Sequence, residues 1–404
     1  MATPKLRFNG FDGDWETKNL LDVSEKPFYG MNSSSTDYDG KNKYLRITDI
    51  DEETRNFDFS KLTSPSDELE DKYLLSEGDM VFVRTGASVG KTYLYKPQDG
   101  KVYFAGFLIK FRLKKSVNPY FVFSQTRSNK FNDWVRVNSV RSGQPGLNAE
   151  ECSKWQLAFT SIQEQDKIAS FLTAVDTKID ELIQKHELLT DYKKGMIQQI
   201  FSQKLRFQAD DGNDFEDWDD ITLGEISSKS LAKNKDESIS EVLTNSATQG
   251  VIKQSDYFER DIVTTSNLKG YYVVKMGDFV YNPRISSQAP VGPIKRNKQC
   301  LGVMSPLYTV FTLNEGNITY LEYFFESSVW HDYVKSVSNS GARHDRMNIK
   351  NQDFFDMPIL YPCLEEQTKI ANFLTTIDQK INNAADQIDQ AKTWKKGLLQ
   401  QMFV

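Results

Sequence analysis

Gly86-Ala87-Ser88-Val89-Gly90-Lys91-Thr92 is the segment of this 404-residue chain that comes nearest to phosphate chemistry. A phosphate-binding loop needs four residues between its glycines so that backbone N–H groups can wrap the anion, and here there are three. Tyr93-Leu94-Tyr95 then reads as a strand, where a helix N-terminus would have to face the phosphate. Nucleotide hydrolysis is set aside on both counts. Asn282-Pro283-Arg284 falls short of the Asn-Pro-Pro-aromatic motif that holds a target adenine in amino-methyltransferases, and no glycine-rich cofactor strand accompanies it. The three histidines, with Cys152, Cys300 and Cys363, show no metal spacing. No nucleophile is paired with a base, so no catalytic and no metal-binding residue is nominated.

What remains suits the reading of bases. Arg84, Thr85, Lys91, Arg141, Ser142, Gln144 and Asn148 lie in polar, Gly-punctuated loops of the first half. In the second half Arg284, Ser286, Ser287, Gln288, Arg343, His344, Arg346 and Asn348 are comparable. Arginine can bond O6 and N7 of guanine together, and Asn or Gln can bond N6 and N7 of adenine. For any one of these residues a phosphate contact or a plain surface role competes with base contact.

The formal net charge is −6, which by itself speaks weakly against a nucleic-acid partner. Patterning changes that picture. From Arg84 to Arg141 there are roughly a dozen Lys and Arg against about two acids, while Asp49–Asp79 and Asp210–Asp220 are acidic. One face of the first half can therefore neutralise phosphates although the whole chain is negative. The second half has a weaker basic excess, centred on residues 284–298 and 335–350.

The elements that must position these loops are written twice. Glu164-Gln165-Asp166-Lys167-Ile168-Ala169-Ser170-Phe171-Leu172-Thr173 returns as Glu366-Gln367-Thr368-Lys369-Ile370-Ala371-Asn372-Phe373-Leu374-Thr375. The match continues through Asp176, Lys178 and Ile179 against Asp378, Lys380 and Ile381. It closes with Lys193-Lys194-Gly195 and Gln198-Gln199 against Lys395-Lys396-Gly397 and Gln400-Gln401. About 17 of 38 positions are identical, far more than shared helical composition explains. The preceding halves echo each other faintly. Gly78-Asp79-Met80-Val81-Phe82 matches Gly277-Asp278-Phe279-Val280-Tyr281, each followed by an arginine, Arg84 and Arg284. Lys5-Leu6-Arg7-Phe8 at the start matches Lys204-Leu205-Arg206-Phe207 after the first repeat, so joining the termini would restore the central junction. A pseudo-two-fold arrangement with adjacent termini is expected.

Ile168, Leu172, Val175, Ile179 and Leu182 step by fours and threes with Leu189 one heptad on, the seam of a coiled coil, and Ile370, Leu374, Ile377 and Ile381 repeat it with Ile388 one heptad on. Two antiparallel helices of about 38 residues, roughly 57 Å long at 1.5 Å per residue, would bury both stripes against each other. The modules before them mix short strands, at 80–83, 92–95 and 107–113, with aromatic-rich helices at 118–134 and 319–334. Strand and helix do not alternate regularly, so the fold class is α+β: two globular domains of one fold on two long helices. The expected boundaries are 1–162 and 205–363 for the globular domains, with helical spacers over 163–204 and 364–404. No apolar run approaches a membrane span and Met1 is not followed by a signal-like stretch, so a cytoplasmic protein is expected. On these residues alone, a DNA reader stands beside a non-DNA adaptor with two duplicated ligand-binding modules on a coiled-coil stalk.

The doubled motif Glu-Gln-x-Lys-Ile-Ala-x-Phe-Leu, Asp-x-Lys-Ile, Lys-Lys-Gly and Gln-Gln resembles the specificity subunit of Type I restriction–modification systems, over essentially the whole chain. The resemblance implies that each module is a target-recognition domain reading one half of a bipartite site in double-stranded DNA. It implies that the paired helices set the unread gap and, through their seam, dock a pair of methyltransferase subunits. A motor–nuclease subunit can then join to cut unmodified DNA. No cofactor is expected on this chain; S-adenosylmethionine belongs to the methyltransferase, ATP and Mg to the motor–nuclease.

Overall fold

The computed structural model describes residues 4–257, 268–340 and 345–403. The chain divides into two compact units, one running up to Ile183 and resuming from Ala385, the other spanning Gln184–Ala384. The division passes through both long helices, Ile162–Phe201 and Leu364–Met402, so each unit owns one globular module and half of each helix.

The first unit is built on a four-stranded antiparallel sheet in the order Phe28–Tyr29, Leu108–Arg112, Asp79–Val83, Thr92–Leu94. Successive side chains of a strand point to opposite faces. Met80 and Phe82 accordingly join a core with the helices, while Val81 and Val83 join a second core with Leu45, Tyr93 and Phe104. Both faces are covered, which is why Asp79–Val83 is buried at every position. The second unit repeats the sheet with Ser227–Lys229, Thr309–Leu313, Phe279–Tyr281 and Ile294–Arg296 in the same order. Gly78 and Gly277 enter the central strands at φ +86° and +94°, a conformation that favours glycine. In the turn that contains each glycine, Asp79 accepts the Ser76 N–H and Asp278 the Lys275 N–H.

Asn118 caps the helix Pro119–Gln125 by accepting the N–H groups of Tyr120 and Phe121, and Asn317 caps Ile318–Glu326 in the same way. The single helices expected over 118–134 and 319–334 are each two: Pro119–Gln125 with Asn129–Asn138, and Ile318–Glu326 with His331–Val337. Hydroxyl-to-backbone bonds break the continuity. Ser128 Oγ donates to the Gln125 carbonyl and Ser327 Oγ to that of Phe324, and Ser128 then caps the next helix.

Within the first unit Ile168, Leu172, Val175 and Ile179 share one core with Leu398, Leu399 and Met402 and with the module's Phe121, Phe131 and Trp155. Asp176 pairs with Lys395, and Phe171 lies edge-on to Trp394. The second unit makes the same core from Ile370, Leu374 and Ile377 with Ile197, Ile200 and Phe201. The Leu6 N–H donates to the Gln401 carbonyl at 2.9 Å in one unit, and the Leu205 N–H to the Gln199 carbonyl at 3.1 Å in the other. Chain end meets chain start as the central junction does, which is the internal pseudo-two-fold repeat expressed in hydrogen bonds.

Candidate nucleic-acid interface

The repeated helical residues turn out to be a latch between module and helix. Glu164 accepts Arg7 Nε at 2.7 Å, Arg7 Nη2 at 2.8 Å and Trp15 Nε1 at 3.2 Å. Glu366 accepts Arg206 Nε at 3.2 Å, Arg206 Nη2 at 2.8 Å and Trp218 Nε1 at 2.9 Å. Burial opposes the charge of Glu164, yet Arg7, Thr160 and Trp15 together hold it below the usual carboxylate range. Gln165 and Gln367 accept the N–H of the capping Asn118 and Asn317. At the other end of the motif, Lys395 pairs with Asp176 and Lys193 with Asp378. None of this was legible as a site, because charged residues at helix spacing read equally well as a solvated face.

Each latch holds a sheet from whose end two loops project. In the first unit these are the hairpin after Val83 and the segment 139–148. Thr85 bridges Gly146, the Gly86 N–H donates to the Pro145 carbonyl at 3.1 Å, and the Leu147 N–H to the Arg84 carbonyl at 2.8 Å. The second unit repeats this backbone: Arg284 bridges Arg346, the Ile285 N–H donates to Asp345 O at 3.0 Å, and the Met347 N–H to Pro283 O at 2.9 Å. By these bonds Arg284 occupies the place of Thr85, and Pro283 that of Arg84. The two arginines that follow the matching strands are therefore offset by one residue.

The candidate side chains separate on inspection. Ser142 and Gln144 are exposed on the 139–148 loop, with Gln144 lying over Gly86. Arg84 sits over the Tyr29 ring, 5.1 Å from its centroid. Arg141 is spent internally: Nη1 donates to the Asn138 and Val140 carbonyls and Nη2 to both Glu151 oxygens at 2.6 Å. Asn148 caps the helix Ala149–Ser153, its Oδ1 accepting the Glu151 N–H at 2.8 Å. Lys91 does not face outward at all. It is 7% exposed, donates to the Ile50 carbonyl at 3.1 Å and meets Glu52 at 2.5 Å. Its position in a polar, glycine-punctuated loop suggested a DNA contact; its geometry makes it a tether between that hairpin and residues 50–52. Thr92–Leu94 continues as strand, so Gly86–Thr92 is a sheet hairpin.

In the second unit Arg284, Ser287, Gln288, Arg346 and Asn348 are exposed, and Arg284 and Arg346 have no side-chain partner among the described residues. Ser286 Oγ accepts the Ala289 N–H at 3.1 Å and shapes the hairpin. Asn282 uses its side chain on the backbone, accepting the Arg284 N–H and donating to the Asn245 carbonyl. Arg343 and His344 lie outside the described residues. Among the described residues no group of three or more His, Cys, Asp or Glu is placed to hold a metal, and no helix is long and apolar enough to cross a membrane.

The seam residues are likewise placed. Ile168, Leu172, Val175, Ile179, Ile370, Leu374 and Ile377 are buried in the unit cores, Leu182 is buried, and Ile381, Leu189 and Ile388 are half-buried. Each unit also carries matched aromatics, half-buried beside its core and exposed at Trp394 and Tyr192. Phe8 packs edge-on to Phe171 at 5.5 Å, and Phe171 to the exposed Trp394 at 6.0 Å. Phe207 packs on Phe373 at 5.4 Å, and the exposed Tyr192 holds the position of Trp394.

Two modules of one scaffold, with matching Arg–Glu–Trp latches and different loops, define a protein that presents two related but non-identical recognition surfaces. Two matches to the Type I restriction modification DNA specificity domain cover residues 12–189 and 215–393, and the chain belongs to that family. It is a specificity subunit of a Type I restriction–modification system, and its work is recognition of DNA sequence. It is 25% identical to a putative Type I restriction enzyme MjaX specificity subunit of Methanocaldococcus jannaschii, over 96% of this chain and 92% of that protein. It is 22% identical to the MjaVIII specificity subunit of the same organism, over 81% and 78%. Its fold is similar to that of the S subunit of a Type I system from M. genitalium, with a TM-score of 0.57 at 14% identity over 100% and 99% of the two chains. A chain from a structure describing complex assembly and conformational transition of the Type I system gives a TM-score of 0.55 at 16% identity, over 95% and 96%.

Proposed function

We propose that each module reads one half of a bipartite, gapped DNA site through its paired loops, and that the long helices set the gap. The observation that carries this is the identical backbone bridging of Thr85 with Gly146 and Arg284 with Arg346, on which the two units hang different side chains. One scaffold repeated with different loop chemistry suits two half-sites of different sequence. In the first unit the base-reading groups are Ser142 and Gln144, with Arg84 beside them; in the second they are Arg284, Gln288, Arg346 and Asn348.

The same reasoning assigns the partners. Two copies of one methyltransferase subunit require the same surface twice, and the exposed aromatics Trp394 and Tyr192, at one position of the repeat, meet that requirement better than the seam, most of which is buried. The chain itself is non-catalytic. S-adenosylmethionine is carried by the methyltransferase, which extrudes the target adenine, and ATP with Mg by a motor–nuclease subunit. The assembly works in the cytoplasm.

The test is a methylome read with the gene intact and deleted. Loss of one asymmetric, gapped adenine-methylation motif on deletion is the expected result. No change, with the methyltransferase expressed and active, overturns the reading in favour of a non-DNA adaptor.

A further inference from the structure

The 139–148 loop of the first unit is fastened at both ends and in the middle. The Gly146 N–H closes it onto the Ser139 carbonyl at 2.9 Å, and Arg141 binds the Asn138 and Val140 carbonyls and Glu151. Arg141 is therefore a positioning residue, and the loop holds one shape before any ligand arrives. On that rigid support Val140 is 71% exposed, and Val137, one turn earlier at the end of the helix Asn129–Asn138, is 69% exposed. Isolated exposed apolar residues are ordinary. Two exposed valines within four residues, in a stretch that also carries Arg136, Ser142 and Gln144 and leads into a loop bonded to the Thr85 hairpin, make an apolar pair in a run of hydrogen-bonding residues. Only an apolar group would gain from meeting it.

Among the base edges of the major groove, one apolar group is offered: the C5-methyl of thymine. We propose that Val137 and Val140 read thymine methyl groups in the half-site recognised by the first module. The proposal rests on the DNA-reading function and assigns a base to it. At the two matching positions the second unit is polar. Counting from the matched helix caps Asn118 and Asn317, Val137 and Val140 correspond to Ser336 and Asn339, which are polar and exposed. A hydroxyl and an amide at those places read hydrogen-bonding edges, so the two half-sites differ in their dependence on thymine methyls.

Deoxyuridine pairs as thymidine does and lacks only the methyl group, so it isolates the contact. Duplexes carrying the cognate motif, with uracil replacing thymine one position at a time, are bound to the full chain in complex with its methyltransferase. For at least one thymine of the first half-site, affinity should fall about fourfold, the worth of one buried methylene-sized group. The same substitution should cost nothing in the Val137→Ser, Val140→Ser double variant, whose exposed positions leave folding intact. Full retention of motif-specific binding on every uracil-substituted first half-site, or a first half-site without an A·T pair, overturns the proposal and leaves the recognition function standing. Loss of methyltransferase assembly in the double variant with no uracil effect overturns it in favour of a protein contact. Absence of any sequence-specific binding removes both the proposal and the function beneath it.

Discussion

The Lys193 ammonium lies 2.7 Å from the Asp378 carboxylate and 2.8 Å from that of Glu326. Its repeat counterpart Lys395 pairs with Asp176, but Arg127 stands where Glu326 stands in the other unit. One latch is a lysine between two acids; the other is an acid between two cations. Removing the lysine therefore has unequal consequences. Lys193→Met leaves Glu326 and Asp378 facing each other unneutralised, and should cost about 2 kcal/mol, reduced from the fully buried case by partial exposure. Lys395→Met leaves Asp176 with Tyr120 and, 3.9 Å away, Arg127, and should cost about 1 kcal/mol or less. Urea unfolding of the two variants measures the difference.

The same asymmetry sets opposite pH responses. Burial, then repulsion from Arg127, pushes the Lys395 ammonium down to about 8, with Asp176 and Asp180 opposing the shift. An unfolded lysine titrates near 10.4. Between these values the unfolded chain holds a proton that the folded chain has lost, so this residue's contribution to stability rises with pH from about 8 to about 10. Lys193 is raised instead, because Glu326 and Asp378 outweigh its burial, and its contribution is present below the unfolded value and lost above it. Wild type should gain on Lys395→Met between pH 7.5 and 10, while its margin over Lys193→Met should not grow. Unfolding free energies across that range decide the matter; a falling margin for Lys395→Met would contradict the assignment.

Lys91 and Gln144 separate tether from reader. Lys91→Met strands the Ile50 carbonyl and frees Glu52, costing about 1–2 kcal/mol of stability while leaving the methylation motif unchanged. Gln144→Ala removes an exposed amide, so stability should stay within about 0.5 kcal/mol. At one base of the first half-site it should lose about 1–3 kcal/mol of discrimination. Thermal melts paired with methylome sequencing of each variant would show it; a motif altered by Lys91→Met and untouched by Gln144→Ala would reverse the roles.

These contrasts mark what sequence can carry. The helices were legible because seventeen matching positions and a four–three apolar rhythm are periodic signals that need no tertiary knowledge. The strand Asp79–Val83 was legible from its apolar run, read over 80–83. Lys91 was not, since its burial depends on residues 50–52 arriving from forty positions away. Arg141 looked like a base reader because Glu151, its partner, lies beyond the loop. The seam was read as helix against helix alone, although Ile168 and Leu172 also cover Phe121 and Trp155 of the module. The break at Ser128 escaped because a helix and a capped pair of helices share one apolar rhythm.

Trp394 and Tyr192 carry the docking surface in the proposed assembly, and exposed aromatics anchor protein interfaces more than their number suggests. Trp394→Ala should weaken capture of one methyltransferase subunit by about 2 kcal/mol, and Tyr192→Ala that of the other, with each variant still folded. Native mass spectrometry of the assembled complex would then show single-methyltransferase species for either variant and free chain for the double. Full assembly of the double variant would move docking elsewhere on the chain.

Shortening both long helices tests the gap directly. Each heptad adds about 10 Å at 1.5 Å per residue and returns a helix face to nearly the same direction, so removing seven residues from the middle of each keeps the seam in register. The cut must fall between the latches, between Ile179 and Lys193 in Ile162–Phe201 and between Ile381 and Lys395 in Leu364–Met402, so that neither module loses its fastening. Duplex DNA rises about 3.4 Å per base pair along one strand. The unread gap should therefore contract by about three base pairs while both half-site sequences persist in the methylome. A motif with its original gap, written by a shortened chain that still assembles, would mean that something other than these helices measures the distance.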